Sequence, residues 1–486
     1  MSKFLTYDQV EEESKKTIYN SSKLDVDKWK LQKEVYDLLL LKNRGKATEL
    51  IVNAIKMERT FYTIRCDEKK EIWIYDNGIY IPQGESYIKE FTRQILGVAF
   101  TSHFVNDVTA KIMADTYIDQ KTFFDSVDKE NICLLNGILN LITRELKPFD
   151  SLKIFFNKIP ITYDPVAVCP AVDAHFKAVL KKESDAPVIY ELFGYLLWKE
   201  YFIEKAFMLS GSGRNGKGKT LGLMKRFIGS ENCTNIPIQH LETDKFAVGE
   251  LFNKMANLSG DIDKIALKHT GIFKNATGRD LLSASRKFMT NLCFVNYAKF
   301  IFCANELPKT YDMTPAFWNR WVLLEFPYTF VSQKEYDCLS DKTGYKVADP
   351  SIIEKLSTDS ELSGLLNKAL EGIDRLRTKG DFSYSKNTEE LKNLWIKKSD
   401  SFSAFINDFC EEGDFEVEKG FFKKCYVDFC RMNRIKQLGT KDIANTMDDR
   451  GFWEVRDSST RCWHGLRIKE VELIKRKDSL ISEFVN

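Results

Sequence analysis

Apolar and polar positions switch period several times along the chain, and the switches predict its elements. Residues 1–60 are charged and helix-prone, with apolar runs at 35–41 and 50–55. Residues 71–82, EIWIYDNGIYIP, alternate about Asp76-Asn77-Gly78 and predict a hairpin. Helical spacing follows to about Ser126, then strand, turn and strand over 132–150 with Asn136-Gly137 at the turn. Pro160, Pro165 and Pro170 predict an extended connector ahead of a helix at 172–180. A further helix over 185–200 leads into a short buried strand, Ala206–Ser210. A glycine-rich turn at 211–218 comes next, and a helix is predicted to open at Lys219, with Leu221, Met224, Phe227 and Ile228 on one stripe.

Downstream, an apolar stretch over 251–264 ends in Asp261-Ile262-Asp263, and Thr277-Gly278-Arg279-Asp280 reads as a turn. Arg286-Lys287-Phe288 falls near the tip of an excursion before a strand at Leu292–Val295. A strand over 299–305 ends in Asn305, and Trp318-Asn319-Arg320-Trp321 leads into a last buried strand at 322–326. From about Asn387 the pattern changes. Amphipathic helices at 401–411, 421–432 and 440–450, the last capped by Thr440, precede a hairpin over 453–468, an order that suggests a winged helix. Arg456, Arg461, Arg467 and Lys469 are its candidate contacts to duplex phosphates, and protein docking is the other reading of this module. The expected layout is a helical segment (1–70), a mixed α+β domain (71–185), an α/β domain with a parallel central sheet (186–385) and the winged-helix-like domain (386–486).

Composition narrows the function. With 72 basic against 70 acidic residues the net charge is +2, so nucleic-acid binding must use a local patch or an internal channel. The N-terminal sixteen residues lack the apolar core of a signal peptide, and the most apolar stretch, 187–198, is too short for a bilayer and carries Glu191. The expectation is a soluble chain of the host-cell cytoplasm with no membrane partner. Eleven cysteines without a C-x-x-C pair read as reduced thiols.

The chemistry concentrates after Ala206–Ser210. Glycines let backbone N–H groups wrap phosphate oxygens, a lysine reaches the outer phosphates, and a helix N-terminus adds partial positive charge. Two registers fit the G-x-x-x-x-G-K-S/T pattern. One uses Gly213, Gly218, Lys219 and Thr220; the other uses Gly211, Gly216 and Lys217, with Asn215 inside the turn and Gly218 where the Mg2+-binding hydroxyl belongs. Asp261 is placed to hold Mg2+ and Asp263 to polarise water, with the two roles exchangeable. Asn305 is placed to orient water against a γ-phosphate, and Arg320 to act as an arginine finger. Lys274, Arg286, Lys287 and Phe288 suit a nucleic-acid backbone and base stacking.

Together these segments resemble superfamily 3 helicases of the phage and plasmid primase-helicase type, related to the poxvirus primase-helicase. The matching stretches are G-x-G-x-N-G-K at 211–217, the Asp261 strand end, FKNATGRD at 273–280, RKF at 286–288, FCANELP at 302–308 and AFWNRWVLLEFP at 316–327. LLNGILNLITRELKPFD at 134–150 and Tyr163-Asp164-Pro165 resemble the preceding domain, so the likeness covers roughly residues 70–330. The resemblance implies an AAA+ P-loop ATPase core that uses ATP and Mg2+. It favours Lys217 as the loop lysine, with either Thr220 standing in for the hydroxyl absent at Gly218 or Mg2+ relying on water there. It further implies Asp261 as the metal ligand, Asn305 as the sensor, Arg320 as a finger given to the adjacent subunit, and Arg286 and Lys287 on a hairpin tracking single-stranded DNA. Family members often carry a primase domain, and the roughly 70 residues ahead of the likeness are too few for one.

The expected function is an ATP-dependent replicative helicase of a virus, phage, plasmid or other mobile element. It would form a ring homo-oligomer, by the resemblance a hexamer, act on single-stranded and forked DNA, and work with a separate primase or polymerase. The competing readings are an origin-binding initiator with ATP as an assembly switch, a ring ATPase acting on protein, and a small-molecule P-loop kinase. The last has no use for Arg320 or a basic hairpin.

Overall fold

The computed structural model of the chain describes residues 23–66, 70–125, 128–182, 185–285, 292–432, 435, 437–456 and 460–469. They form two compact units, one running to Tyr163 and the other starting at Asp164.

In the first unit, helices Lys23–Leu40 and Arg44–Glu58 precede β1 (Phe61–Ile64). β2 (Ile72–Asp76) and β3 (Ile79–Ile81) make the expected hairpin, helices Gly84–Leu96 and Ser102–Asp115 follow, and β4 (Tyr117–Ile118) completes a sheet of order β3-β2-β1-β4. β1 pairs antiparallel with β2 and parallel with β4. The apolar stripes of the four helices close over one core that includes Val35, Ile51, Ile55, Ile88, Phe91, Val108 and Ile112. The boundary expected at residue 70 therefore falls between two paired strands, because the early helices bury their apolar faces against the later ones. β5 (Asn131–Cys133), β6 (Ile138–Asn140) and β7 (Leu146–Lys147) form a separate antiparallel sheet.

The second unit opens with helix Pro170–Val179, with its proline in the first turn, and helix Ala186–Leu197. β8 (Ala206–Ser210), helix Lys217–Ile228, β9 (Cys233–Thr234), β10 (Ala256–Ser259), β11 (Leu281–Ala284), β12 (Leu292–Val295), β13 (Lys299–Ala304) and β14 (Trp321–Glu325) follow. Five of these strands form a parallel sheet of order β14-β8-β13-β10-β9. β8, β10, β13 and β14 are buried along their whole length, as expected for a parallel sheet covered on both faces. The chain leaves β8 for the far edge at β9, returns through β10 and β13, then crosses to β14. The loop after β8 thus emerges at the carboxyl edge where the strand order reverses, the usual ligand position in open α/β sheets. β11 and β12 pair antiparallel as a ribbon inserted between β10 and β13.

β15 (Thr329–Val331) and β16 (Tyr345–Val347) form a short parallel pair, and a 21-residue helix, Asp359–Lys379, lies along helix Ala186–Leu197. The two backbones approach so closely that a Cβ on Gly194 would sit 2.3 Å from the Ala369 carbonyl oxygen. Beyond helix Thr388–Ser399 come helix Ser401–Phe409, β17 (Cys410–Glu418), helices Lys419–Met432 and Thr440–Asp449, β18 (Trp453–Arg456) and β19 (Arg461–Ile468). Their sheet has the order β17-β19-β18, over a core of its own built on Phe402, Phe405, Tyr426, Phe429, Met447, Trp463 and Leu466. Two details differ from expectation. β17 is a strand despite its acidic run, and Gly439, not Thr440, caps the last helix; the Thr440 hydroxyl instead accepts from Lys423 Nζ at 3.0 Å. No helix among the described residues is long and apolar enough to cross a membrane.

Candidate functional site

The loop between β8 and helix Lys217–Ile228 is shaped by left-handed backbone. Gly213 (φ 102°), Arg214 (φ 50°) and Gly216 (φ 89°) turn it back on itself, and Gly216 caps the helix, which opens at Lys217 instead of Lys219. Asn215, 2% exposed, pins the turn from inside. Its Oδ1 accepts from the Gly213 N–H, and its Nδ2 donates to the Tyr328 carbonyl at 3.0 Å.

Lys217 is the second fixed point. Only 7% exposed, it donates through Nζ to the Gly211 carbonyl at 2.6 Å, Asn215 Oδ1 at 3.1 Å and Asn305 Oδ1 at 3.1 Å. Asn305 Nδ2 in turn donates to Asp261 Oδ2 at 3.0 Å. β10 and β13 are neighbours, so the residues just past their carboxyl ends, Asp261 and Asn305, arrive side by side. A continuous polar chain therefore runs Lys217–Asn305–Asp261 along the open edge of the sheet. Burial pulls the Lys217 ammonium below the ordinary lysine range, and the Asp261 carboxylate opposes that shift.

The other candidates are placed differently. Lys219 and Gly218 are exposed on the first helical turn. Thr220 is fully buried, with its hydroxyl 3.5 Å from His175 Nε2, and burial lowers that imidazole to about 4, which keeps it neutral. Asp263 is exposed, and its carbonyl accepts from Gln239 Nε2 at 2.9 Å. Lys274 is ion-paired with Asp312 at 2.8 Å. Arg286, Lys287 and Phe288 lie outside the described residues, although the flanking β11 and β12 are described. Arg320 stands at the opposite edge of the sheet. β14 and β8 run in register from Trp321 beside Ala206 to Glu325 beside Ser210, which separates Arg320 from its own loop by roughly 16 Å at strand rise.

The donor set suits a phosphate-bound Mg2+. Such an ion is ordinarily held by one or two carboxylates together with substrate phosphates and water, and Asp261 offers an exposed carboxylate at the loop's mouth.

Glycine substitutions separate the two registers. Gly216→Ala forces a side chain into left-handed backbone and to within 2.8 Å of Val179 Cγ1, so it is expected to destabilise by roughly 1–3 kcal/mol. Gly218 sits in the helix with nothing within 4 Å of a Cβ, so Gly218→Ala is expected to be neutral or stabilising by about 0.5–1 kcal/mol. Urea midpoints of the two variants check both.

Sequence reasoning passed over Glu325, which closes β14 at the same edge. It is 7% exposed and ion-paired with Lys181 and Lys398, each at 3.0 Å. A charged residue ending an apolar strand was the available signal, but its partners lie far away in the chain.

Two family models match the chain. Residues 209–320 match a family of unknown function, DUF5906, and residues 54–182 match a family described as D5 N terminal like. The chain is 25% identical over 358 residues to a helicase-named protein of the Sputnik virophage, covering 68% of this chain and 44% of that protein. It is 24% identical over 314 residues to a helicase-named protein of Acanthamoeba polyphaga mimivirus, covering 61% and 32%. The chain thus spans less than half the length of these curated relatives. Among solved structures, the apo NrS-1 C-terminal region is similar at 13% identity and a TM-score of 0.41, over 85% of this chain and 98% of that one. A JCV helicase is similar at 12% identity and a TM-score of 0.26, over 47% and 63%. The D5 N-terminal-like segment and the helicase-named viral relatives support a protein of the phage and viral primase-helicase type.

Proposed function

We propose that the second unit carries the ATPase core of a superfamily 3, AAA+-type DNA helicase that works as a ring. The carrying observation is the Lys217–Asn305–Asp261 chain behind a glycine loop, at the carboxyl edge of a parallel sheet. When ATP binds, Lys217 exchanges the Gly211 carbonyl and the two side-chain amides for phosphate oxygens. Asp261 would hold Mg2+ on the protein side, where the ion would supply neutralisation of phosphate charge; Gly218 has no hydroxyl, and the Thr220 hydroxyl is buried against His175. Asn305, released from Lys217, orients the attacking water, and Asp261 or Asp263 polarises it. Arg320 lies too far from its own loop to help there, which supports its service in a neighbour's site and hence a ring.

The β11–β12 ribbon leads to Arg286, Lys287 and Phe288, whose charges and ring suit a single strand in a central channel. Lys274 contributes there only by releasing Asp312. The helix–strand order and separate core of residues 401–468 support a winged-helix-like module. Its cations favour protein docking over duplex reading: Arg467 pairs with Glu411 at 2.9 Å, Arg461 lies 3.8 Å from Glu454, and Lys469 donates to the Asn407 and Asp408 carbonyls.

The test is ATP hydrolysis with and without single-stranded DNA. Stimulation of at least about five-fold is expected, in line with ordinary coupling energies. A rate indifferent to DNA contradicts the helicase reading and favours a ring ATPase acting on protein.

A further inference from the structure

Arg320 is not idle in the isolated chain. Its side chain is 14% exposed and held from three directions. Nε donates to Thr277 Oγ1 at 2.9 Å, Nη1 to the Ala316 carbonyl, and Nη2 to Glu204 Oε2 at 2.7 Å. Each partner belongs to a different element of the fold. Glu204 lies in the turn that feeds β8, the strand carrying the phosphate loop, and the Ala206 N–H donates to the Arg320 carbonyl at 2.6 Å. Thr277 is the last residue of helix Gly271–Thr277, fully buried, and four residues later the chain enters β11. Phe273 of that helix stacks on Trp321, the residue after Arg320, with ring centroids 4.9 Å apart. A Cβ on Gly278 would lie 3.3 Å from Arg320 Nη2, so the base of the ribbon is packed against the guanidinium itself.

We infer that Glu204 and Thr277 are positioning residues that park Arg320 and tie it to the base of the β11–β12 ribbon. The fork is rigid and largely buried, with Nε, Nη1 and Nη2 all turned onto acceptors of this chain, so presenting it to a neighbour's phosphate means swinging it away from both partners. Engaging the adjacent subunit's nucleotide therefore breaks the Glu204 ion pair and the Thr277 hydrogen bond together. The first break sets a threshold for hydrolysis, since Arg320 is available in trans only once Glu204 lets go. The second passes the nucleotide state to the ribbon, because helix Gly271–Thr277 loses the bond that fixes its end. Conversely, DNA pulling on the ribbon loosens Thr277 and makes Arg320 easier to release. The inference rests on reading Arg320 as a trans-acting finger.

Glu204→Gln, Thr277→Val, Thr277→Ser and Arg320→Ala are compared in the full chain for ATP hydrolysis with and without single-stranded DNA, and for base pairs unwound per ATP. Glu204→Gln is expected to raise DNA-independent hydrolysis by about five-fold or more. Thr277→Val, which also removes one tether on Arg320, is expected to raise the DNA-independent rate while cutting both the fold-stimulation by DNA and the unwinding per ATP by about five-fold or more. Thr277→Ser, which keeps the hydroxyl, restores coupling, whereas a merely structural role for Thr277 would depress every rate alike. If Arg320→Ala abolishes hydrolysis but Glu204→Gln and Thr277→Val couple like wild type, the latch is overturned and the finger stands. If Arg320→Ala hydrolyses ATP normally, the finger reading falls and the latch with it.

Discussion

Lys217→Ala is expected to lower ATP hydrolysis by roughly 100- to 1000-fold, the usual cost of removing one preorganised group that stabilises transition-state charge. Lys219→Ala is expected to stay near wild type. Both lysines lie on the first turn of one helix, but successive residues point about 100° apart around it. Lys217 turns inward to the Gly211 carbonyl, Asn215 and Asn305, while Lys219 faces solvent. Stability should move the other way from activity. A 7% exposed ammonium is costly to desolvate, and its three hydrogen bonds only offset that cost. Lys217→Met should therefore melt at or above the wild-type temperature while hydrolysing no ATP. Steady-state hydrolysis and thermal melting of the three variants check the pair of expectations.

The second large effect is complementation. Lys217→Ala and Arg320→Ala chains should each be inactive alone, yet regain activity when mixed. A site made from the loop of one subunit and the finger of the next is intact wherever an Arg320→Ala protomer lends its loop to a Lys217→Ala protomer's finger. In a randomly mixed head-to-tail ring, about a quarter of the interfaces meet that condition. The geometry behind this is the parallel pairing of β14 with β8, which places Arg320 and Gly211 at opposite edges of the same sheet. Mixed chains that remain inactive after co-assembly would return Arg320 to a purely structural role.

Much of the fold can be read from local pattern, and the reasons are visible in particular residues. Ala206–Ser210 and Leu292–Val295 match their expected bounds because each is an apolar or aromatic run closed by glycine or polar residues. The hairpin through Asn77-Gly78 follows from its turn residues alone. Helix Asp359–Lys379 is hard to see in advance because Gly364 and Gly372 read as breakers. Their function lies in tertiary contact: a Cβ on Gly372 would sit 2.5 Å from the Tyr190 carbonyl oxygen of the facing helix. β17 hides behind a run of acids whose apolar members, Phe415 and Val417, are too few to mark a strand.

The site divides along the same line. The glycine loop, Asp261 and Asn305 are legible from composition and spacing, because phosphate chemistry needs those residue types after a strand. Pattern alone leaves Lys217 and Lys219 both open and the resemblance favours Lys217; what sequence spacing lacks is the helix face, which buries Lys217 and exposes Lys219. Thr220's commitment to His175, 45 residues away, and Arg320's hold on Glu204, 116 residues away, exist only once the sheet has formed. Sequence spacing carries no signal for such pairs.

The most direct measurement is unwinding of a forked DNA duplex by the wild-type chain and by Lys217→Ala, with ATP and Mg2+ present. ATP-dependent strand separation by wild type and none by Lys217→Ala, with both binding the fork, is the predicted result. Equal unwinding by the two, or ATP hydrolysis by wild type with no strand separation, would contradict the assignment of this loop to a DNA-unwinding motor.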